Sequence, residues 1–77
     1  MLELYVSETC PYCRKVMKFM EENCIEYMKN NISNPLYRDE LVKLGGKEQV
    51  PFLYDTENEI SMYESDDIID YLSKIGE

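Results

Sequence analysis

The chain begins with LELYV (Leu2–Val6), a short β-prone run in which apolar and polar positions alternate. Alternation with period two predicts a strand with one face turned inward. The period then changes. In CRKVMKFMEENC, Cys13, Val16, Met17, Met20 and Cys24 recur at helical spacing, while Arg14, Lys15, Lys18, Glu21 and Glu22 fall mostly off that stripe. A single apolar stripe predicts an amphipathic helix packed by one face. IEYMKNNI (Ile25–Ile32) alternates loosely and predicts a second strand. SNPLYRDELVKLGG is punctuated as a helix, with Asn34 as N-cap, Pro35 at the first helical position and Gly45-Gly46 as the stop. QVPFLYD and EISMY read as strands joined by the polar DTENE, a hairpin. ESDDIIDYLSKIG predicts a closing amphipathic helix. Ser65 suits its cap, Asp66 and Asp67 suit its electropositive start, and Ile68, Ile69, Leu72 and Ile75 form its buried face.

The element order is therefore β-α-β-α-β-β-α. Strands alternating with helices, then a hairpin and a helix, predict an α/β fold with a central four-stranded mixed sheet and three helices on its faces. A helix joins the first two strands, so these must be parallel. The 77 residues fit one domain, 1–77, with a thin core and no room for a second lobe. No repeat, linker or low-complexity tract interrupts it.

Charge and termini narrow the function classes. Sixteen acidic residues against eight basic ones give a formal net charge of −8. Nucleic acid and anionic membrane both require a basic footprint, so neither is expected as a partner. Solubility is the simpler reason for the charge. No apolar run approaches the roughly 18 residues of a membrane-spanning helix. MLELYVSETC lacks the basic start, apolar core and cleavage site of a secretory signal, so a cytoplasmic location is expected. Three cysteines are an odd number and do not make a disulfide framework. In a reducing compartment, closely spaced cysteines point to redox chemistry or metal.

ETCPYCRK places Cys10 between a strand and a helix, at or near the N-cap. Unpaired N–H groups and the helix dipole there favour thiolate over thiol, and Arg14 and Lys15 could add to this. Pro11 fits the first turn. Cys13, one turn later on the same side, is expected to be more buried and to stay a thiol. That asymmetry supplies an attacking and a resolving sulfur. Two other readings stand beside it. Zinc requires four ligands, and the chain has no histidine and only Cys24 besides the pair. Two inert core cysteines would need Cys10 to leave an exposed turn. Cys24 itself is expected in the core, as are Met17, Phe19, Met20 and Met28. Tyr5, Tyr27, Tyr54, Tyr63 and Tyr71 are expected as packing or sheet-surface residues.

TCPYC after a first strand, Gln49-Val50-Pro51, and Glu64-Ser65-Asp66-Asp67 at the last helix together resemble the glutaredoxin family, in order and over essentially the whole chain. The resemblance implies the thioredoxin fold in minimal form. It also implies reduction of glutathione mixed disulfides and protein disulfides, with glutathione as co-substrate and no permanently bound cofactor or metal. Cys10 would be the nucleophile and Cys13 the resolving cysteine. Val50-Pro51 would hold a cis peptide bond beside Cys10, and the Val50 backbone, next to Gln49, would pair with the cysteinyl part of glutathione as an added strand does. Tyr12 would line the groove, and Ser65 and Asp66 would hold the γ-glutamyl end. The implied partners are glutathione and glutathionylated or disulfide-containing proteins, with the chain acting as a monomer.

Two departures matter. Ser7 stands where many glutaredoxins carry a lysine, and Lys47 is the candidate for the glycyl contact instead. QVP and YESDDIIDYL are also similar to the N-terminal domain of glutathione S-transferases, where a Glu/Gln-Ser pair binds the γ-glutamyl group, which adds Glu64 to the candidate site. The alternatives are an N-terminal domain of a transferase-like protein, a glutathione-bridged iron–sulfur carrier, and a thioredoxin-like reductant served by a reductase.

Overall fold

A computed structural model describes residues 1–75. Leu4, Tyr5 and Val6 of the first strand, β1 (Leu2–Val6), are all buried, although alternation predicts only one inward face. The reason is that helices cover both faces of the sheet. On one face, α1 (Pro11–Glu22) and α3 (Ser65–Ile75) enclose Leu4, Val6, Cys13, Val16, Met20, Leu53, Ile68 and Leu72. On the other, α2 (Pro35–Gly45) delivers Leu41 against Tyr5 and Phe52. The remaining strands are β2 (Met28–Asn31), β3 (Phe52–Asp55) and β4 (Ile60–Met62). The sheet order is β2-β1-β3-β4. β1 and β2 are parallel, with Tyr5 opposite Asn30. β1 pairs antiparallel with β3, Leu4 opposite Leu53, and β3 pairs antiparallel with β4. This is the α/β architecture the element order predicts, in the thioredoxin arrangement that the resemblance implies. No helix among the described residues is long and apolar enough to cross a membrane.

The structure corrects several boundaries. α1 stops at Glu22, and Cys24 turns the chain with a left-handed φ of 54°. The Ile25 N–H then bonds the Met20 carbonyl at 2.9 Å, which closes the helix end. Cys24 is therefore exposed rather than in the core. β2 is shorter than Ile25–Ile32, and as an edge strand it leaves Met28 48 % exposed. Ile75 lies in the last turn of α3 and is exposed, and Ile69 is only half-buried. Ser65 is the first helical residue of α3 rather than its cap. Glu64 precedes it, and its carbonyl accepts the Ile68 N–H at 2.8 Å.

Caps and the hairpin turn follow from local chemistry. The Asn34 side chain accepts the Leu36 N–H at 3.0 Å, and Pro35 needs no partner in the first turn. Gly46 ends α2 at a φ of 90°, where a side chain would be strained. The loop after β3 folds around buried Asp55. Its carboxylate accepts the Tyr71 hydroxyl, the Asn58 side-chain amide at 2.8 Å, and the Glu57 and Asn58 N–H groups at 3.0 and 3.3 Å. The Tyr71 bond, followed by those from Asn58, holds the Asp55 carboxyl down at about 2.

Candidate functional site

Cys10 follows the loop after β1 and caps α1 with extended backbone, φ −92° and ψ 113°. Its sulfur accepts the Cys13 N–H at 3.3 Å, which satisfies one of the orphan donors of the first turn. The same sulfur lies 3.8 Å from the Val50 carbonyl oxygen, which the thiol faces as donor. Cys10 is half-buried and Cys13 fully buried, and both are free thiols. Burial, reinforced by the Cys10 sulfur, pushes the Cys13 thiol up to about 12. The two cysteines thus differ in access.

The neighbouring cations are engaged elsewhere, contrary to expectation. Arg14 Nη2 donates to the Glu8 carbonyl at 3.1 Å. Lys15 Nζ pairs with Asp66 Oδ1 at 2.7 Å.

A groove of about 390 Å³ opens beside Val50. The loop before β3 contributes Gln49, Val50 and Pro51, and Val50-Pro51 is a cis peptide bond. α1 contributes Tyr12, and the passage from β4 into α3 contributes Tyr63, Glu64, Ser65 and Asp66. Ser65 is buried, whereas its neighbours Glu64 and Asp66 carry exposed carboxylates. Gln49 Nε2 donates to Glu64 Oε1 at 3.4 Å, linking the two walls. Every glutathione-directed residue expected from the sequence lines this groove except Lys47. Its ammonium sits over the Tyr63 ring, 4.8 Å from the centroid.

Tyr63 is the residue that sequence reasoning missed. It packs against Phe52, as expected of a packing tyrosine, and also forms a groove wall. The available signal was its place immediately before the acidic helix start. A larger cavity, about 680 Å³, lies at the opposite end of β1 between Leu2, Ile25 and Met28. Its lining, which includes Glu26, Tyr27 and Glu57, holds no cysteine. Among the described residues, no group of three or more metal-ligating side chains comes together.

Comparison with known proteins agrees with this architecture. Residues 4–76 match the family described as glutathione S-transferase, N-terminal domain. Glutaredoxin 3 of Escherichia coli strain K12 is 30 % identical over 54 residues, a match that takes in 69 % of this chain and 65 % of that protein. The chain therefore spans just under two thirds of the curated relative it matches. Among solved structures, the thioredoxin-like protein BC3987 superposes with a TM-score of 0.83 at 18 % identity, covering 97 % of this chain and 99 % of that one. A glutathione transferase homologue from Sulfitobacter, with bound glutathione, superposes with a TM-score of 0.80 at 22 % identity, covering 99 % of this chain and 37 % of that one. At these identities the two structures establish the shared fold. The chain belongs to the glutathione S-transferase N-terminal domain family and has the glutaredoxin-like form of the thioredoxin fold.

Proposed function

We propose that this chain is a glutathione-dependent thiol–disulfide oxidoreductase acting through Cys10, with residues 1–77 working as one domain and as a monomer. The observation that carries the reading is the position of Cys10 Sγ. It is half-exposed at the start of α1, receives the Cys13 N–H at 3.3 Å, and stands 3.8 Å from a backbone carbonyl that borders the groove.

The Cys10 thiolate attacks the glutathionyl sulfur of a mixed disulfide. A Cys10–glutathione disulfide forms as the original S–S bond breaks, and the other thiolate leaves and takes up a proton. The thiolate of a second glutathione attacks the bound glutathionyl sulfur. This releases Cys10 as thiolate and leaves oxidised glutathione. With a protein disulfide, Cys10 attacks one sulfur and the other leaves as thiolate. Cys13 then loses its proton, attacks the Cys10 sulfur, expels the second substrate thiolate and closes a Cys10–Cys13 disulfide, which two glutathiones reduce as they become oxidised glutathione. Burial that keeps Cys13 protonated slows this closure, so the route through a second glutathione competes well.

Recognition is read from the groove. The Val50 backbone offers an edge to the peptide groups of glutathione. The free N–H groups at the start of α3, around Ser65 and Asp66, suit the γ-glutamyl carboxylate, and the Asp66 carboxylate suits its ammonium. Tyr12 provides an apolar wall, and Gln49 and Glu64 close the side. No permanently bound cofactor is required. The partners are glutathione and proteins bearing glutathionylated or disulfide-bonded cysteines.

The test is reduction of a glutathione mixed disulfide coupled to glutathione reductase. Cys10→Ser is expected to abolish the activity and Cys13→Ser to retain it. Full activity in Cys10→Ser would refute the assignment of the nucleophile. A second reading, a transferase domain that activates glutathione in the same groove, is favoured by the family match over residues 4–76. Conjugation of glutathione to an electrophilic aromatic compound tests it.

A further inference from the structure

The loop from Gly46 to Pro51 belongs to no helix or strand, yet it carries Val50 to its place beside Cys10. Its end is held by Val50, packed against both cores, by buried Pro51 and by the Gln49–Glu64 hydrogen bond at 3.4 Å. Its start is held by polar contacts. Gly46 caps α2, and the Gln49 N–H bonds back to the Lys47 carbonyl at 3.2 Å. The Glu48 carboxylate meets Arg38 at 3.6 Å in an exposed pair, a type that contributes little. The anchor of Lys47 is one side chain. The Tyr63 hydroxyl donates to the Lys47 carbonyl at 2.8 Å and accepts the Lys47 N–H at 3.2 Å. A single hydroxyl thus satisfies both backbone polar groups of Lys47.

The ring that carries this hydroxyl is itself fixed. Phe52 lies against it, with centroids 4.7 Å apart and planes tilted by 48°. Lys47 covers it with its ammonium. A Cβ at residue 45 would run into the Tyr63 hydroxyl and ring, so Gly45 is what lets Tyr63 sit there. The sequence Gly45-Gly46-Lys47 and the distant Tyr63 are parts of one device.

We propose that Tyr63 is a positioning residue for the site: its hydroxyl clamps Lys47 and thereby sets where the Val50 backbone stands relative to Cys10. The proposal rests on the glutathione reading above. Only Glu48 and Gln49 separate the clamped residue from Val50, so the clamp fixes the approach to Val50 from one side while core packing of Val50 and buried Pro51 hold it from the other. A disulfide that brings peptide groups to pair with Val50 needs that alignment. A small disulfide without peptide groups does not use it.

The discriminating variant is Tyr63→Phe, which keeps the ring against Phe52 and removes both hydrogen bonds. Reduced protein is mixed rapidly with oxidised glutathione and, in parallel, with bis(2-hydroxyethyl) disulfide. The ratio of the two rate constants is expected to fall about tenfold in the variant, the scale of losing one to two hydrogen bonds. A fall of less than about threefold overturns the proposal. If the wild-type protein shows no preference for oxidised glutathione, the glutathione reading fails. If it shows the preference and Tyr63→Phe keeps it, the clamp alone fails. Amide hydrogen exchange gives a second readout. The Lys47 amide is expected to exchange at least about tenfold more slowly than the Glu48 amide, and to lose that protection in Tyr63→Phe. Equal exchange of the two amides in the wild-type protein overturns the clamp directly.

Discussion

Lys15 Nζ lies 2.7 Å from Asp66 Oδ1, so the helix that starts beside Cys10 is tied to the helix that starts at the groove wall. Both side chains are well exposed, and such pairs contribute about 0–1 kcal/mol. Lys15→Met is therefore expected to lower stability by less than about 1 kcal/mol in low salt, with the loss shrinking near 1 M salt as screening removes it. Urea unfolding at the two ionic strengths measures this. A large loss that salt does not change would mean that the lysine stem, rather than its charge, holds the helices together.

The Asp55 network makes acid sensitivity local. Its carboxyl sits at about 2 in the fold against an ordinary 3.8. A lowered value means that the folded state favours the carboxylate. Its contribution is complete above pH 4 and disappears as pH falls through 2. Asp55→Asn is expected to cost on the order of 2 kcal/mol at pH 7 and almost nothing at pH 2. Unfolding free energies of both proteins across that range check the sign as well as the size.

Cys13 behaves in the opposite sense. Its thiol is pushed up to about 12 from 9, so the fold favours the protonated form. The contribution is complete below pH 9 and is lost as pH rises towards 12. At pH 8, iodoacetamide is expected to modify exposed Cys24 and half-buried Cys10 first. Cys13 should react roughly 100-fold more slowly, because it requires local opening. Peptide mass spectrometry of a labelling time course reads all three sites, and equal labelling of Cys13 and Cys24 would contradict its burial.

Gly45→Ala forces a methyl into the Tyr63 ring and is expected to cost about 1–3 kcal/mol. Combined with Tyr63→Ala, the cost should be smaller than the sum of the two single losses, because the clash is gone in the double variant. A double-mutant cycle on unfolding free energies measures the coupling.

The sequence carries the elements in their order because each one has a clear period and clear stops. Asn34-Pro35 and Gly45-Gly46 bound α2 without reference to the rest of the chain. Burial was harder to read where it depends on neighbours. Tyr5 looks outward by alternation, but α2 covers that face and Tyr5 donates to Glu40 at 3.0 Å. Met28 and Ile75 have apolar side chains at apolar positions, yet an edge strand and a last helical turn leave them exposed. Cys24 continues the spacing of the α1 stripe, but the helix ends two residues before it.

The candidate site divides in the same way. Cys10 as the N-cap follows from a strand–turn–helix reading of residues 2–22. The convergence of Tyr12, Val50 and Asp66 on one groove came from resemblance, since they lie on three different elements. Lys47 is offered by the sequence for the glycyl contact, and a sequence does not show the ring beneath its ammonium. Tyr63 was passed over for the matching reason: its partners, Gly45 and Lys47, precede it by more than fifteen residues and are joined to it only by the fold.

The position of Cys24 limits how the protein can oxidise. α1 has 12 residues and is about 18 Å long, with Cys10 just before it and Cys24 just beyond it. A disulfide requires Cα atoms within about 7 Å, so Cys24 cannot bridge to Cys10 in the same molecule. Any bond it forms joins two molecules. A preparation left in air would thus hold two kinds of oxidised protein: an internally bridged monomer and a covalent pair linked tail to tail. The pair keeps both reactive turns open and would escape an activity assay, but it would appear at doubled mass in non-reducing electrophoresis.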